Sequence, residues 1–263
     1  MIRKVFYFFF SLALPFLLSG NESFIPDPPS ISSSNYILID ANTNRVLAEM
    51  NPDEEIEPAS ITKIMTGYIV SDQIQDGFIT LDDEVLISEN CWRKKGSRMF
   101  IEEGSRVVLL DLIKGMVIQS GNDASCAIAE HVAGSEENFV QLMMRYAKSL
   151  GLANSNFVNP TGWPDVENYS SAKDLANLSS NLIKKFPEHY SLYKIKSFTY
   201  NDIKQRNRNG LLWQDESVDG LKTGHTEAAG YCLVSSAVRG ETRLIAVTLN
   251  SSSEKSRLTD NRR

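Results

Sequence analysis

Across residues 60–74 the apolar side chains Ile61, Ile64, Met65, Tyr68 and Ile69 recur three or four positions apart, with no proline among them. That spacing predicts an amphipathic helix with one buried stripe. Pro58 confines the residue before it to extended conformations, so the helix is expected to start at Ala59 or Ser60. Upstream, residues 36–40 and 45–49 are strand-like runs joined by the turn cluster 41–44, the pattern of a β-hairpin. Residues 85–87 and 99–101 are short β-favouring pieces around the polar loop 93–98. Helix formers then dominate 109–119, 124–132, 136–150 and 172–186. In the third of these, Phe139, Leu142, Met143, Tyr146 and Leu150 form a core-facing stripe. Residues 159–162 and 163–164 carry Gly and Pro and break the chain between helices. Strands return at 198–200, 231–238 and 242–249, the last two joined at Arg239–Gly240. Strands, helices, strands is the order of an α/β domain. It predicts one antiparallel sheet built from both ends of the chain, flanked by helices, with an α-helical lobe inserted and a cleft between the two parts.

The two ends read differently. Arg3 and Lys4 precede an apolar run, residues 5–18, broken only by Ser11 and Pro15 and followed by Ser19 and Gly20. A positive start, a short apolar stretch and small residues predict a signal peptide over 1–20 and an extracytoplasmic mature protein. The run is short of the roughly 20 residues that span a bilayer. Residues 21–34, rich in Pro, Ser and Asn, read as a linker, leaving 35–263 as the functional domain. At the other end, residues 251–263 read as a polar tail with no apolar stripe.

Composition narrows the classes. With 263 residues, 42% hydrophobic and 23% charged, the chain has ordinary globular values. A formal net charge of −6 with no basic block argues against a nucleic-acid binder. Cys91, Cys126 and Cys232 are odd in number and lack metal-type spacing, so buried or unpaired thiols are expected. His131, His189 and His225 are scattered, which argues against a zinc peptidase. No metal or cofactor is implied.

The chemistry gathers in three places. Ser60 stands in the first turn of the first helix, near its free N–H groups. Lys63 is one turn on and on the same face, where its amine reaches the hydroxyl. Taken alone, a serine there is a helix cap; beside a lysine it is also an activatable nucleophile. Ser120-Gly121-Asn122 falls in the break between two expected helices, and Lys222-Thr223-Gly224 precedes the run at Tyr231. Ser-x-x-Lys, Ser-x-Asn and Lys-Thr-Gly in that order is the motif set of class A β-lactamases and penicillin-binding proteins.

From about residue 35 onward the chain resembles the serine-type D-alanyl-D-alanine carboxypeptidases among the low-molecular-weight penicillin-binding proteins. The resemblance is carried by PASITKIMT, SGNDAS, NRNGLLW and VDGLKTGHTEAAGYCLVSSA. It implies a β-lactamase/transpeptidase-like fold, a peptidoglycan stem peptide as substrate and β-lactams as covalent inhibitors. It implies Ser60 as nucleophile, Lys63 as base with its pKa lowered by burial and by Lys222, and Ser120 as proton relay. Asn122 would bind the substrate peptide, and the N–H groups of Ser60 and His225 would form the oxyanion hole. Lys222, Thr223 and Gly224 would face the terminal carboxylate, with Arg257 or Arg208 as the cleft arginine. Many members continue into a further helix, a β-rich domain and an amphipathic anchor. Here the last catalytic-domain helix is expected to be missing, as in a C-terminally truncated chain, with apolar sheet surface left uncovered and no C-terminal membrane anchor. Rival readings are a D,D-endopeptidase acting on crosslinks, a β-lactamase with Glu167 as its deacylating base, and an inactive peptidoglycan-binding relic.

Overall fold

The computed structural model describes residues 30–263. The expected signal peptide and the first part of the expected linker lie outside them. In chain order the elements are β1 (Asn35–Asp40), β2 (Arg45–Met50), α1 (Lys63–Gln75), β3 (Glu84–Leu86), α2 (Glu89–Trp92), β4 (Arg106–Val108), α3 (Leu109–Lys114), α4 (Asn122–Ala133), α5 (Glu136–Ser149), α6 (Ala172–Lys185) and α7 (Pro187–Tyr190). They continue as β5 (Ser197–Tyr200), β6 (Ile203–Arg206), β7 (Val218–Thr226), β8 (Gly230–Arg239), β9 (Thr242–Ser251) and α8 (Glu254–Arg262). Five strands form one sheet in the order β2-β1-β9-β8-β7. Every neighbouring pair in it is antiparallel. Both ends of the chain therefore supply the sheet, and helices α1 to α7 lie between them in sequence, as the pattern predicts.

The first helix differs from expectation in two ways. Ala59–Thr62 forms a separate 3-10 turn, and α1 begins only at Lys63. The predicted single stripe is also absent, because every residue from Lys63 to Asp72 is buried. The cause is location: α1 runs through the interior with α4, α5 and α6 around it, while the turn before it packs on β7 and β8. Ile64, Met65 and Ile69 are fully buried there, each worth roughly 1.5–3 kcal/mol of burial.

Residues 99–101, which read as β-favouring, form no strand. Phe100 adopts φ +68°, and the N–H groups of Met99, Phe100 and Ile101 turn onto the buried Asp123 carboxylate at 3.0, 2.9 and 3.4 Å. Arg98 lies 3.9 Å from the same group. A charge with several donors and a cation is the condition under which a buried carboxylate is tolerated.

The sulfurs of Cys91 and Cys126 are bonded to each other, joining α2 to α4, and Cys232 is a buried free thiol. The expectation of unpaired thiols thus fails for the first two; a sequence separation of 35 leaves no spacing signal. Lys222-Thr223-Gly224 does precede the strand at Tyr231, β8, but itself lies inside a further strand, β7, that the pattern did not predict. Residues 220–224 are all buried, so the strand lacks the alternation that would mark it. The polar end of the chain forms α8, whose Ser253 hydroxyl caps Ser256 N at 3.0 Å. Asn261 fastens it to the sheet through Leu233 O and Ala246 O, both at 3.2 Å. Next to α8 the sheet face stays open as an apolar groove between Leu38, Ala48, Leu211, Val218 and Leu244. The last residues of the expected linker are also tied down: Ser33 is buried and bonds Leu249 O at 2.6 Å.

Replacing Asp123 by Ala strips the acceptor from four backbone N–H groups, those of residues 99–101 and of Ala124. Stability is expected to fall by about 3–5 kcal/mol, the range for breaking a buried charged pair, read as a lower urea midpoint at unchanged m-value. A loss under about 1 kcal/mol, typical of a surface change, would mean that segment 99–101 is held by other contacts.

Candidate active site

Three separated segments are brought to one cleft. Ser60 arrives on the 3-10 turn before α1, Ser120 at the end of the wide turn Gly115–Gln119, and Thr223, Gly224 and His225 on β7. All five residues line a single cleft of about 310 Å³. Its remaining walls include Arg208 and, from α8, Arg257.

Local backbone explains how Ser60 is presented. Ala59 holds φ +47° and Ser120 holds φ +65°, conformations that cost non-glycine residues on the order of 1–3 kcal/mol each. Two glycines make the fit possible. A Cβ on Gly162, itself at φ +72°, would stand 1.7 Å from Ala59 O, and one on Gly224 would stand 2.9 Å from Pro58 O. No side chain fits at Gly162 without moving the turn that carries Ser60.

Lys63 is 1% exposed. Its Nζ lies 3.0 Å from Ser60 Oγ, 2.7 Å from Asn122 Oδ1 and 2.5 Å from Thr161 O. Burial lowers its pKa to about 7; nearby Asp123 opposes the shift and Arg208 adds to it. Arg208 is thus a second cation acting on Lys63 beside Lys222, whose own shift includes the charge of Lys63. A neutral amine has two hydrogens and one lone pair. With the hydrogens on Asn122 and Thr161, the lone pair faces the Ser60 hydroxyl.

Lys222, buried, donates to Ser120 Oγ at 2.9 Å and to Thr223 O at 3.0 Å. Desolvation and then the charges of Lys63, Arg208 and Arg257 hold it well below the usual lysine range. Ser120 thus pairs with Lys222. Asn122 begins α4, donates from Nδ2 to Lys95 O at 2.7 Å and sends its backbone N–H to Ser97 O at 2.7 Å. Both ends of its amide are engaged within the protein, a structural task beyond the expected substrate contact.

The two candidate arginines differ. Arg257 is buried, donates to Glu254 at 3.1 Å and Gly224 O at 3.5 Å, and has Nε without a partner. Burial lowers its pKa from the ordinary arginine value, against the pull of Glu254. Arg208 is exposed and donates through Nε to Gln119 O at 3.0 Å, beside Ser120. Its flanking residues are buried, with Asn209 bonded to Gly220 O at 2.8 Å and Asn207 to Ile195 O at 3.0 Å. The NRNG segment therefore pins a loop to β7 and holds the arginine over the cleft.

Several features escaped the sequence reading. Ser97, Tyr231 and Glu254 also line the cleft. Thr161 O, a ligand of the Lys63 amine, sits in a turn organised by Asn159 Oδ1, which accepts from Thr161 N and Gly162 N at 3.1 and 2.8 Å. NPTG marked only a break in the chain. Glu167 is exposed and absent from the cleft lining, so the β-lactamase reading loses its candidate base. Cys91, Cys126 and Glu130 lie within reach of a common point, but sulfurs bonded to each other are not thiolate ligands.

Comparison with known proteins accords with this geometry. A family described as D-alanyl-D-alanine carboxypeptidase (peptidase S11) matches residues 22–253. The D-alanyl-D-alanine carboxypeptidase DacA of Haemophilus influenzae is 44% identical over 235 residues, which are 88% of this chain and 60% of that protein. Among solved structures, penicillin-binding protein 5 from Haemophilus influenzae superposes with a TM-score of 0.87 at 43% identity, covering 89% of this chain and 70% of that one. Penicillin-binding protein D2 from Listeria monocytogenes in an ampicillin-bound form gives 0.82 at 27% identity, covering 90% and 97%. The chain thus spans about three fifths of the length of the Haemophilus relative. With Ser60, Lys63, Ser120 and Lys222 converging in one crevice and the family pattern running through nearly all the described residues, the chain belongs to the D-alanyl-D-alanine carboxypeptidase family.

Proposed function

We propose that this chain is a serine-type D-alanyl-D-alanine carboxypeptidase that removes the terminal D-alanine from a peptidoglycan stem pentapeptide. The observation that carries the reading is the buried Lys63 amine 3.0 Å from Ser60 Oγ with a pKa near neutrality. Ser60 Oγ attacks the carbonyl carbon between the two D-alanines while Lys63 takes its proton. The oxyanion is held by the N–H groups of Ser60 and His225. Collapse breaks the C–N bond, and the proton that Lys63 took passes to the leaving amine by way of Ser120, whose hydroxyl Lys222 holds, leaving an ester on Ser60 and Lys63 neutral again. Water then cleaves the ester to free the shortened peptide and restore the hydroxyl. A β-lactam carbonyl enters by the same attack and leaves a slowly hydrolysed ester.

The charge pattern supports an anionic substrate terminus. Lys63, Lys222, Arg208 and Arg257 crowd the cleft, and each lysine is pushed down partly by its neighbours' charge. A terminal carboxylate relieves that repulsion, with Thr223 donating a hydrogen bond and Arg257, whose Nε is unpartnered, supplying the charge. Asn122 lines the substrate's path while holding Lys63. The extracytoplasmic face of the membrane is the proposed site of action; the Cys91–Cys126 disulfide suits an oxidising compartment. Among the described residues no helix is long and apolar enough to cross a membrane.

Ser60→Ala is expected to abolish both D-alanine release from a pentapeptide and covalent labelling by a fluorescent penicillin. Labelling that survives the change would move the nucleophile elsewhere. Pentapeptide, crosslinked dimer and cephalosporin assayed side by side separate carboxypeptidase from endopeptidase and β-lactamase action.

A lysine with a lowered pKa is neutral, and able to accept a proton, above that value. Acylation should therefore accelerate as pH rises through about 7 and then level off. Lys63→Gln should slow acylation by about 10²–10⁴-fold, the usual cost of losing a general base, and remove the rise. A wild-type profile flat across this range would assign the base to another group.

A further inference from the structure

The disulfide between Cys91 and Cys126 has no part in the bond-making steps, yet it sits at the root of one wall of the cleft. Cys91 is in α2, immediately before the segment Arg93–Arg98, and Cys126 lies one helical turn after Asn122 in α4. The wall segment is tied to α4 at three points. The disulfide fixes its start, Lys95 O and Ser97 O accept from Asn122 in its middle, and Asp123 gathers the N–H groups of residues 99–101 at its end. Asn122 is in turn 2.7 Å from the Lys63 amine, and Ser97 lines the cleft.

We infer that the Cys91–Cys126 disulfide is a positioning device for the catalytic cleft, and that its redox state sets the rate at which Ser60 is acylated; this rests on the reading of Ser60 and Lys63 above. The other side-chain ties at that end of the wall include Asn90 to Glu130 at 2.9 Å and to Glu136 at 3.0 Å, and the half-buried pair Lys94 and Glu136. Each is noncovalent and can open and re-form, and the exposed ones contribute little. The covalent link does not exchange, so the wall cannot swing away from α4 while it is closed. Once open, the segment loses its fixed start, and Asn122 loses the rigid carbonyls that orient its amide toward Lys63. Displacements of about 1 Å in such a supporting group cost up to about 10²-fold in rate.

A dithiol reductant opens the link with balanced chemistry. One thiolate attacks a cysteine sulfur, the second thiolate closes on the first, and two electrons and two protons leave Cys91 and Cys126 as thiols. Both sulfurs are fully buried, so reduction proceeds through local opening and is followed to completion by alkylation in denaturant. The count of free thiols rises from the single Cys232 to three.

The test is stopped-flow acylation by a fluorescent penicillin, resolved into a binding constant and a limiting rate, on the full chain. Cys91→Ala/Cys126→Ala is expected to lower the limiting rate about 10- to 100-fold, with a much smaller change in the binding constant, because Thr223 and Arg257 lie on other elements. Wild type reduced by dithiothreitol should show the same loss, recovered on reoxidation. Tyr146→Phe, which removes a hydroxyl bonded to Asp72 at the far end of α1, controls for general destabilisation and should keep the wild-type limiting rate despite a lower Tm. A double variant as fast as wild type, or an equal loss in Tyr146→Phe, overturns the inference. If the double variant fails to fold, reduced wild type acylating at the oxidised rate overturns it instead. Failure of the underlying reading looks different: oxidised wild type would not label, or labelling would survive Ser60→Ala.

Discussion

The architecture turns on one amine deprived of water. An ammonium group buried without a paired anion carries a desolvation cost of several kcal/mol, and Lys63 has no carboxylate in contact with it. Its surroundings are oxygen acceptors from three distant segments: a hydroxyl, a side-chain amide and a backbone carbonyl. That set stabilises a neutral amine well and an ammonium only partly. The fold therefore brings the lysine's pKa down to about 7 by withholding a counter-ion, and the stability lost there is offset by the burial of Ile64, Met65 and Ile69 farther along α1.

Like charges extend the same compromise. Lys222 and Arg257 are also buried, and the shifts of all three basic groups include repulsion from another cation of the cleft. Two residues in left-handed backbone conformations, Ala59 and Ser120, flank this cluster. Uncompensated charge thus gathers, beside two strained backbone positions, where the proposed chemistry occurs, as expected when a site is built for reaction. Gly162 and Gly224 are the complement of that strain, since each leaves room for the backbone that carries Ser60.

Much of this was legible in the residues, for identifiable reasons. Strong periodicity revealed β1, β2, α5, α6, β8 and β9 to within a few residues. The three short motifs worked because their order along the chain is informative even though each alone is not. What escaped was written in contacts across the fold. β7 is buried along its middle and so lacks alternation. α1 is buried all round, so its apolar residues were read as a stripe. Segment 99–101 has β-favouring side chains, but the Asp123 carboxylate outcompetes a partner strand for its N–H groups. α8 is nearly without apolar residues because it docks through Arg257, Asp260 and Asn261, a polar interface that no hydrophobic pattern reports. Pairing of Cys91 with Cys126 requires knowing that α2 lies against α4.

The sheet's connectivity bears on when the molecule becomes competent. β1 lies between β2 and β9, and Ser33 near its start bonds Leu249, 216 positions along the chain. Closing so long a loop is entropically slow, and contacts of this kind form late in folding. Synthesised from its N-terminus, the polypeptide delivers the hairpin and the Ser60 turn well before β7, β8 and β9. The wall that Thr223, Gly224 and His225 give to the Ser60 cleft is consequently absent until the late strands have been delivered and docked.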